Sequence, residues 1–245
     1  MAIKKGDFVE IDFVGKIKDT NEIFDLTKEE VAKEKKLYNS RFTYKPITIC
    51  VGEGELIKGL DEKLIGKDKG KCTIELKSEE GFGKKNPSLL KLVPIKIFTK
   101  ENLKPFPGLN VNINGLIGTV RSVSGGRVIV DFNHPLSGKD LVFDIEVRKI
   151  LKDEKEKIES VVSKFNKDFE IKLEKDKLEL KIKLDPQIKE ELEKRIKKLF
   201  LNIKEIKFED FKPKEKVLNE ASSKEDSREK TSEKPKEKPK LKPKQ

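Results

Sequence analysis

The near-regular alternation of apolar and polar residues over 7–17 (Asp-Phe-Val-Glu-Ile-Asp-Phe-Val-Gly-Lys-Ile) constrains this chain more than any other feature. Successive side chains of a strand point to opposite faces, so a period of two predicts a half-buried strand. Such a strand needs sheet partners and a layer to cover its apolar face. Three later segments can supply the partners. Residues 46–51 open on Pro46, residues 71–77 alternate Cys72, Ile74 and Leu76, and residues 141–147 read Leu-Val-Phe-Asp-Ile-Glu-Val. The covering layer is predicted at 55–65, where Leu56, Leu60 and Leu64 recur at helical spacing between the breakers Gly52 and Gly54 and the punctuating Gly66 and Gly70. Residues 29–36 are charged and suit a short exposed helix or lobe.

Residues 86–132 have a different texture. Short apolar strands are predicted at 92–98, 109–113, 116–123 and 127–132, with Asn114-Gly115 and Ser124-Gly125-Gly126 as hairpin signals, which describes a small all-β unit. From 153 the pattern changes again. Ile158, Val161, Val162 and Phe165 are spaced as in a helix, Phe169 to Leu173 and Leu178 to Leu184 alternate, and Asp185-Pro186 is a cap followed by proline at the first helical position. Ile188, Leu192, Ile196 and Leu199 continue an amphipathic helix, and Ile203, Ile206 and Phe208 suggest a last strand. The order is αββαβ, an independent α+β domain. After Phe211 the sequence becomes Lys-, Glu- and Pro-rich and cannot bury enough apolar surface to fold, so 212–245 is predicted to be a disordered tail.

Charged residues make up 41% of the 245, with a net charge of +11, of which the tail carries +5. The rest is an ordinary interspersed surface, without the clustered Arg and aromatics of a nucleic-acid face. High Lys and Glu with very little Gln, Met or Cys is the composition of a heat-adapted protein. Cys50 and Cys72 sit in apolar strand contexts without ligand neighbours, which predicts small buried side chains and no metal site. No apolar stretch approaches bilayer length and no apolar leader opens the chain, so a cytoplasmic protein is expected. Gly54-x4-Gly59 is followed by Leu60 where a phosphate loop needs Lys, and Gly52 and Gly54 lack the third glycine of a dinucleotide turn. His134 is the only histidine and reads as a structural turn residue.

Four segments in order carry a resemblance. They are Val9-Glu-Ile-Asp-Phe-Val-Gly-Lys-Ile with Phe24-Asp25, Pro46-Ile-Thr-Ile-Cys-Val-Gly-Glu-Gly-Glu-Leu-Ile-Lys-Gly-Leu60, Gly81-Phe82-Gly83, and Leu141-Val-Phe-Asp-Ile-Glu-Val147. Together they resemble the FKBP family of peptidyl-prolyl cis-trans isomerases, in the SlyD-like branch with an insert-in-flap domain and the longer archaeal form. The resemblance implies an α+β fold: an FKBP-like antiparallel sheet wrapped on a short helix (1–85 and 133–151), an inserted small all-β chaperone domain (86–132), a C-terminal αββαβ domain (152–211) and the tail. It implies catalytic residues Phe13, Phe24, Asp25, Phe82 and Phe143, and substrate contacts at Ile47, Leu56, Ile57 and Leu60. Within the insert, Leu92, Val93, Ile95 and Ile97 are expected to hold unfolded chain.

No cofactor or metal is implied, because rotation about an X-Pro bond makes and breaks no covalent bond. The family often has Tyr at Phe13 and Phe82 and Trp at Leu60. A wider, less aromatic cleft with weaker macrolide binding is therefore expected. The expected partners are unfolded or nascent proteins containing X-Pro bonds, and no membrane. A homodimer through 152–211 and a weak ribosome or RNA contact through the tail are left open. The rival readings are a holdase with weak or no isomerase activity, and a ribosome- or RNA-associated folding factor.

Overall fold

The computed structural model describes residues 2–210, and the expectations placed on the tail lie outside them. The alternating segment forms β1 (Phe8–Ile17), the spine of a five-stranded sheet. On one side of it lie β2 (Ile23–Leu26), after which come the short helix α1 (Glu29–Glu34) and an irregular lobe, and β3 (Ile47–Cys50). The helix α2 (Lys58–Leu64) and strand β4 (Gly70–Leu76) follow.

The next elements form a separate four-stranded sheet: β5 (Leu90–Pro94), helix α3 (Ile95–Lys100), β6 (Asn110–Ile113), β7 (Leu116–Ser124) and β8 (Arg127–Asp131). Its strand order is β5-β8-β7-β6. The chain then returns to the first sheet as β9 (Leu141–Leu151), which lies between β1 and β4. A third group is built from α4 (Glu154–Val162), β10 (Phe169–Glu174), β11 (Lys177–Ile182), α5 (Pro186–Leu199) and β12 (Glu205–Glu209). There β10 and β11 form an antiparallel hairpin, and α5 carries the chain across to β12, parallel to β11. The architecture is mixed α and β, with antiparallel pairing everywhere except that last step.

The main sheet buries side chains on both faces. Val9, Ile11, Phe13 and Ile17 of β1 join Phe143, Ile145 and Val147 of β9 and Leu60 and Leu64 of α2 in one core. Phe8, Cys50 and Leu151 point the other way, into the core of the αββαβ group, where Phe8 stacks on Phe200 with centroids 5.6 Å apart. The two bodies therefore share a sheet, and the near-regular alternation of β1 serves both.

Three sequence expectations are corrected here. The strand predicted at 92–98 ends at Pro94, and residues from Ile95 onward are helical. Proline has no N–H to continue the ladder, and Pro94 takes the N-cap position of α3. Helix α2 begins at Lys58, not Glu55. Gly52 and Gly54 hold positive φ (86° and 71°), and their N–H groups donate to the buried carboxylate of Asp61 at 2.8 and 3.1 Å, which holds 52–57 as a turn. Asp185 occupies the N-cap of α5 ahead of Pro186, but its side chain makes no capping bond. Asp153 does cap α4, accepting from Glu156 N–H at 3.0 Å. The Asn114-Gly115 and Gly125-Gly126 pairs close two-residue hairpins with positive φ at both positions, the geometry that suits strand twist. Cys50 is buried, and burial, helped by nearby carboxylates, pushes its thiol up to about 11, while Cys72 is half-buried.

Candidate active site

The open end of the main sheet forms a cleft of about 660 Å³. All nine residues expected there by resemblance line it: Phe13, Phe24, Asp25, Ile47, Leu56, Ile57, Leu60, Phe82 and Phe143. Phe13, Leu60 and Phe143 are buried and form the floor, and Phe24, Ile47, Leu56, Ile57 and Phe82 are half-buried walls.

Each wall is held by a local device. Strand β1 slips register against β2 between Gly15 and Lys16, which leaves Phe24 as the extra residue and turns it over the cleft. Its ring meets that of Phe143 edge to face at 5.6 Å, and Phe143 is tilted on Phe13 at 6.2 Å. Gly15 is what lets these rings converge, since a Cβ there would lie 2.8 Å from Phe24 and 3.0 Å from Phe143. Behind Phe13, the Thr27 hydroxyl accepts from Phe13 N–H at 2.9 Å and donates to buried Asp12 at 2.7 Å, and Asp12 is ion-paired with Arg148.

Phe82 rides on a latched loop. The Ser137 hydroxyl donates to Phe82 O at 3.1 Å, Gly138 N–H to Gly83 O at 2.8 Å, and Gly59 N–H to Glu80 O at 3.1 Å. The last contact allows no side chain at position 59, where a Cβ would stand 2.6 Å from that carbonyl oxygen.

Asp25 sits at the rim. The residue is exposed, but partial burial of its carboxyl beside the apolar walls raises it from the ordinary aspartate value, partly offset by a hydrogen bond with the Leu26 backbone. The Ile57 N–H has no acceptor among the described residues, and Ile57 lines the cleft just before α2.

Other lining residues escaped the sequence reading: Ile17, Glu22, Glu55, His134, Pro135, Leu136 and Lys139. His134 adds the most to the sequence reading. It is a turn residue, accepting from Leu136 N–H through Nδ1 at 3.2 Å, but its ring also stacks on Phe82 at 4.2 Å and 3°, extending the aromatic wall. Glu55 is nearly buried and ties the lip of the cleft to the αββαβ group. It accepts from Cys50 N–H at 3.1 Å and pairs with Lys164 at 2.5 Å and with Arg195. Only long-range proximity reveals that arrangement, so no local signal could have found it.

The four insert residues separate into two kinds. Val93 belongs to the insert's own core with Phe98, Val111, Val120, Val128 and Val130, and Ile95 packs against that core. Alternation along β5 buries Val93 at 7% exposure, and the first turn of α3 leaves Ile95 half-buried against the same core. Leu92 and Ile97 are exposed, as are Leu90, Phe106, Leu116, Ile117 and Ile129. At the end of β8 the buried Asp131 carboxylate ties together Arg121 of β7, Lys85 ahead of β5 and Asn133 beyond β8. Burial alone would raise its pKa, but hydrogen bonds from the Asn133 side chain and backbone and from Arg121, with the charge of Lys85, hold it well below the usual carboxylate range. No group of three or more metal-ligating side chains occurs among the described residues, and no helix there is long and apolar enough to cross a membrane.

Residues 91–136 match the family described as FKBP26, IF domain. A Short-type peptidyl-prolyl cis-trans isomerase of Methanocaldococcus jannaschii is 36% identical over 155 residues, covering 63% of this chain and 98% of that protein. A probable FKBP-type 16 kDa peptidyl-prolyl cis-trans isomerase of Pseudomonas fluorescens is 36% identical over 115 residues, 44% of this chain and 75% of that one. The FKBP-type isomerase SlyD of Vibrio cholerae is 32% identical over 111 residues, 42% and 53% respectively. The chain belongs to the FKBP-type peptidyl-prolyl cis-trans isomerase family.

Proposed function

We propose that this chain accelerates folding steps limited by X-Pro isomerisation, using the aromatic cleft for rotation and the insert to hold unfolded protein nearby. The observation that carries the reading is the convergence of Phe13, Phe24, Phe82 and Phe143 on one concavity with a rim carboxylate and a free backbone N–H. Amide resonance sets a barrier of about 18–20 kcal/mol, while the two X-Pro isomers differ by only about 0.5–1 kcal/mol. The planar amide is more charge-separated than the twisted one. Taking it out of water therefore raises the ground state more than the transition state. The rings seat the pyrrolidine, the Ile57 N–H holds a substrate carbonyl, and Asp25 orients polar groups at the rim.

The exposed apolar side chains of the insert support a capture role. Leu92 and Ile129 face each other across β5 and β8, and Leu116 and Ile117 project from the β6–β7 hairpin. Clustered exposed apolar residues are costly on a chain that stays alone, and they suit transient contact with unfolded segments. Local capture raises the concentration of prolines near the cleft.

The test is proline-limited refolding of a reference protein with parent, Asp25→Ala and Phe24→Ala chains. Catalysis by the parent and at least a several-fold loss in both variants is expected. Variants that refold the protein as fast as the parent would leave the holdase reading in its place.

A further inference from the structure

A second concavity, of about 550 Å³, lies against the first and shares Phe13, Phe24, Asp25 and Ile47 with it. Its outer wall is the lobe between β2 and β3, which contributes Leu37, Phe42 and Tyr44.

The lobe is built to display these side chains. Ala32 of α1 is fully buried beneath it, and Leu37 N–H donates to Ala32 O at 2.8 Å with Lys36 in the left-handed region at φ 58°. Tyr38 stacks on Tyr44 at 5.5 Å, and Asn39 N–H donates to the Tyr44 hydroxyl at 3.0 Å. Yet Leu37 is 47% and Phe42 67% exposed. A lobe ordered by its tyrosine stack and backbone turns, while a leucine and a phenylalanine stand open beside a cleft, is arranged for an apolar occupant.

Continuity fixes which occupant. The two concavities meet along Phe24 and Asp25, so a chain with its proline in the first runs past that ridge into the second. An extended chain advances about 3.3–3.6 Å per residue, so the second concavity is reached a few residues from the proline.

We infer that the concavity bounded by Leu37, Phe42 and Tyr44 is a subsite for a large apolar side chain of the same substrate, two or more residues from the proline. This rests on the isomerase reading of the first cleft. It gives the enzyme a sequence preference beyond the X-Pro pair, suited to the apolar-rich segments that unfolded proteins expose.

The test uses the full chain and a set of X-Pro peptides in which Phe or Ala is placed in turn at each position within four residues of the proline. Turnover is measured by NMR exchange, and affinity by titration of the same peptides. The parent should favour Phe over Ala about fivefold or more at one or two positions, a conservative share of the free energy of burying a large apolar side chain. Phe42→Ser and Leu37→Ser lie at exposed positions. They should flatten that preference and leave the turnover of Ala-flanked peptides unchanged.

A preference that survives in both variants overturns the subsite, as does a flat profile in an active parent. If the parent is inactive on every peptide, the isomerase reading fails, and the affinities still decide the subsite by the same peaked or flat profile. If Phe42→Ser abolishes self-association in sedimentation while the peptide profile stays intact, the face belongs to a second copy and the subsite is overturned.

Discussion

In the cleft, Phe13, Leu60 and Phe143 are 8%, 2% and 2% exposed, whereas on the insert Leu92, Phe106 and Ile117 stand 55%, 57% and 74% exposed. On the proposed reading, the same residue classes serve two tasks because their surroundings differ. The cleft's side chains are fixed by ring contacts, by Gly15, and by the latched loop under Phe82, so the concavity is formed before substrate arrives. The insert has a core of short valine-rich strands and leaves its larger apolar side chains outside. A rigid concavity can discriminate between a planar and a twisted amide, whereas an exposed apolar surface can only hold chain.

The largest effect that would break this contrast comes from removing the insert. With 86–132 replaced by a short loop, catalysis of refolding of an unfolded protein should fall about 100-fold, the scale set by lost effective concentration, while turnover of a short X-Pro peptide changes little. Equal losses on both substrates would mean that the insert shapes the cleft itself.

Gly15→Ala strikes the cleft alone. The added Cβ displaces Phe24 and Phe143, and peptide turnover should drop about tenfold with capture intact, as judged by suppression of client aggregation. Glu55 sharpens the boundary between lip and αββαβ group. Arg195→Ala leaves a nearly buried carboxylate with one cation fewer, and a rise in KM of about two- to threefold with kcat unchanged is expected for peptides. Arg195→Lys should recover most of it.

The smallest effects are in pH. The Asp25 pKa is raised, so if its charged form serves the rim, peptide turnover should fall on acidification at a pH above the ordinary value of 3.8, and Asp25→Asn should abolish that limb. The Asp131 pKa is lowered, so its contribution to stability is complete above the unfolded value and is lost as pH falls towards the folded one. Thermal melts from neutral to acid pH should therefore show a shallower loss in Asp131→Asn than in the parent.

The sequence made the cleft legible and its supports much less so. Period-two alternation puts Phe13 and Phe143 on the inner faces of β1 and β9, and helical spacing puts Leu60 beneath them, so local pattern together with family resemblance was enough for the nine residues. His134 was read as a plain turn because nothing in Asn133-His134-Pro135 shows that the chain re-enters beside Phe82. The ion pairs of Glu55 join residues more than a hundred positions apart. In the insert, apolar count alone could not tell Val93, which faces the core, from Leu92, which faces out. Pro94 carried the signal that the strand stops, and the longer apolar run through Phe98 masked it. In the lobe, the charged stretch 29–36 announced a short exposed helix, but not the wall that Leu37 and Phe42 raise beside the cleft.

The division of labour is tested most directly by comparing two substrates on one surface variant, Leu92→Ser with Ile117→Ser. Both positions are exposed, and neither lines the cleft. The ratio of kcat/KM for a proline-limited unfolded protein to kcat/KM for a short X-Pro peptide is measured in parent and variant. The account predicts a ratio at least several-fold lower in the variant, with the peptide value unchanged. An unchanged ratio, or a peptide value that falls in step with the protein value, would contradict it.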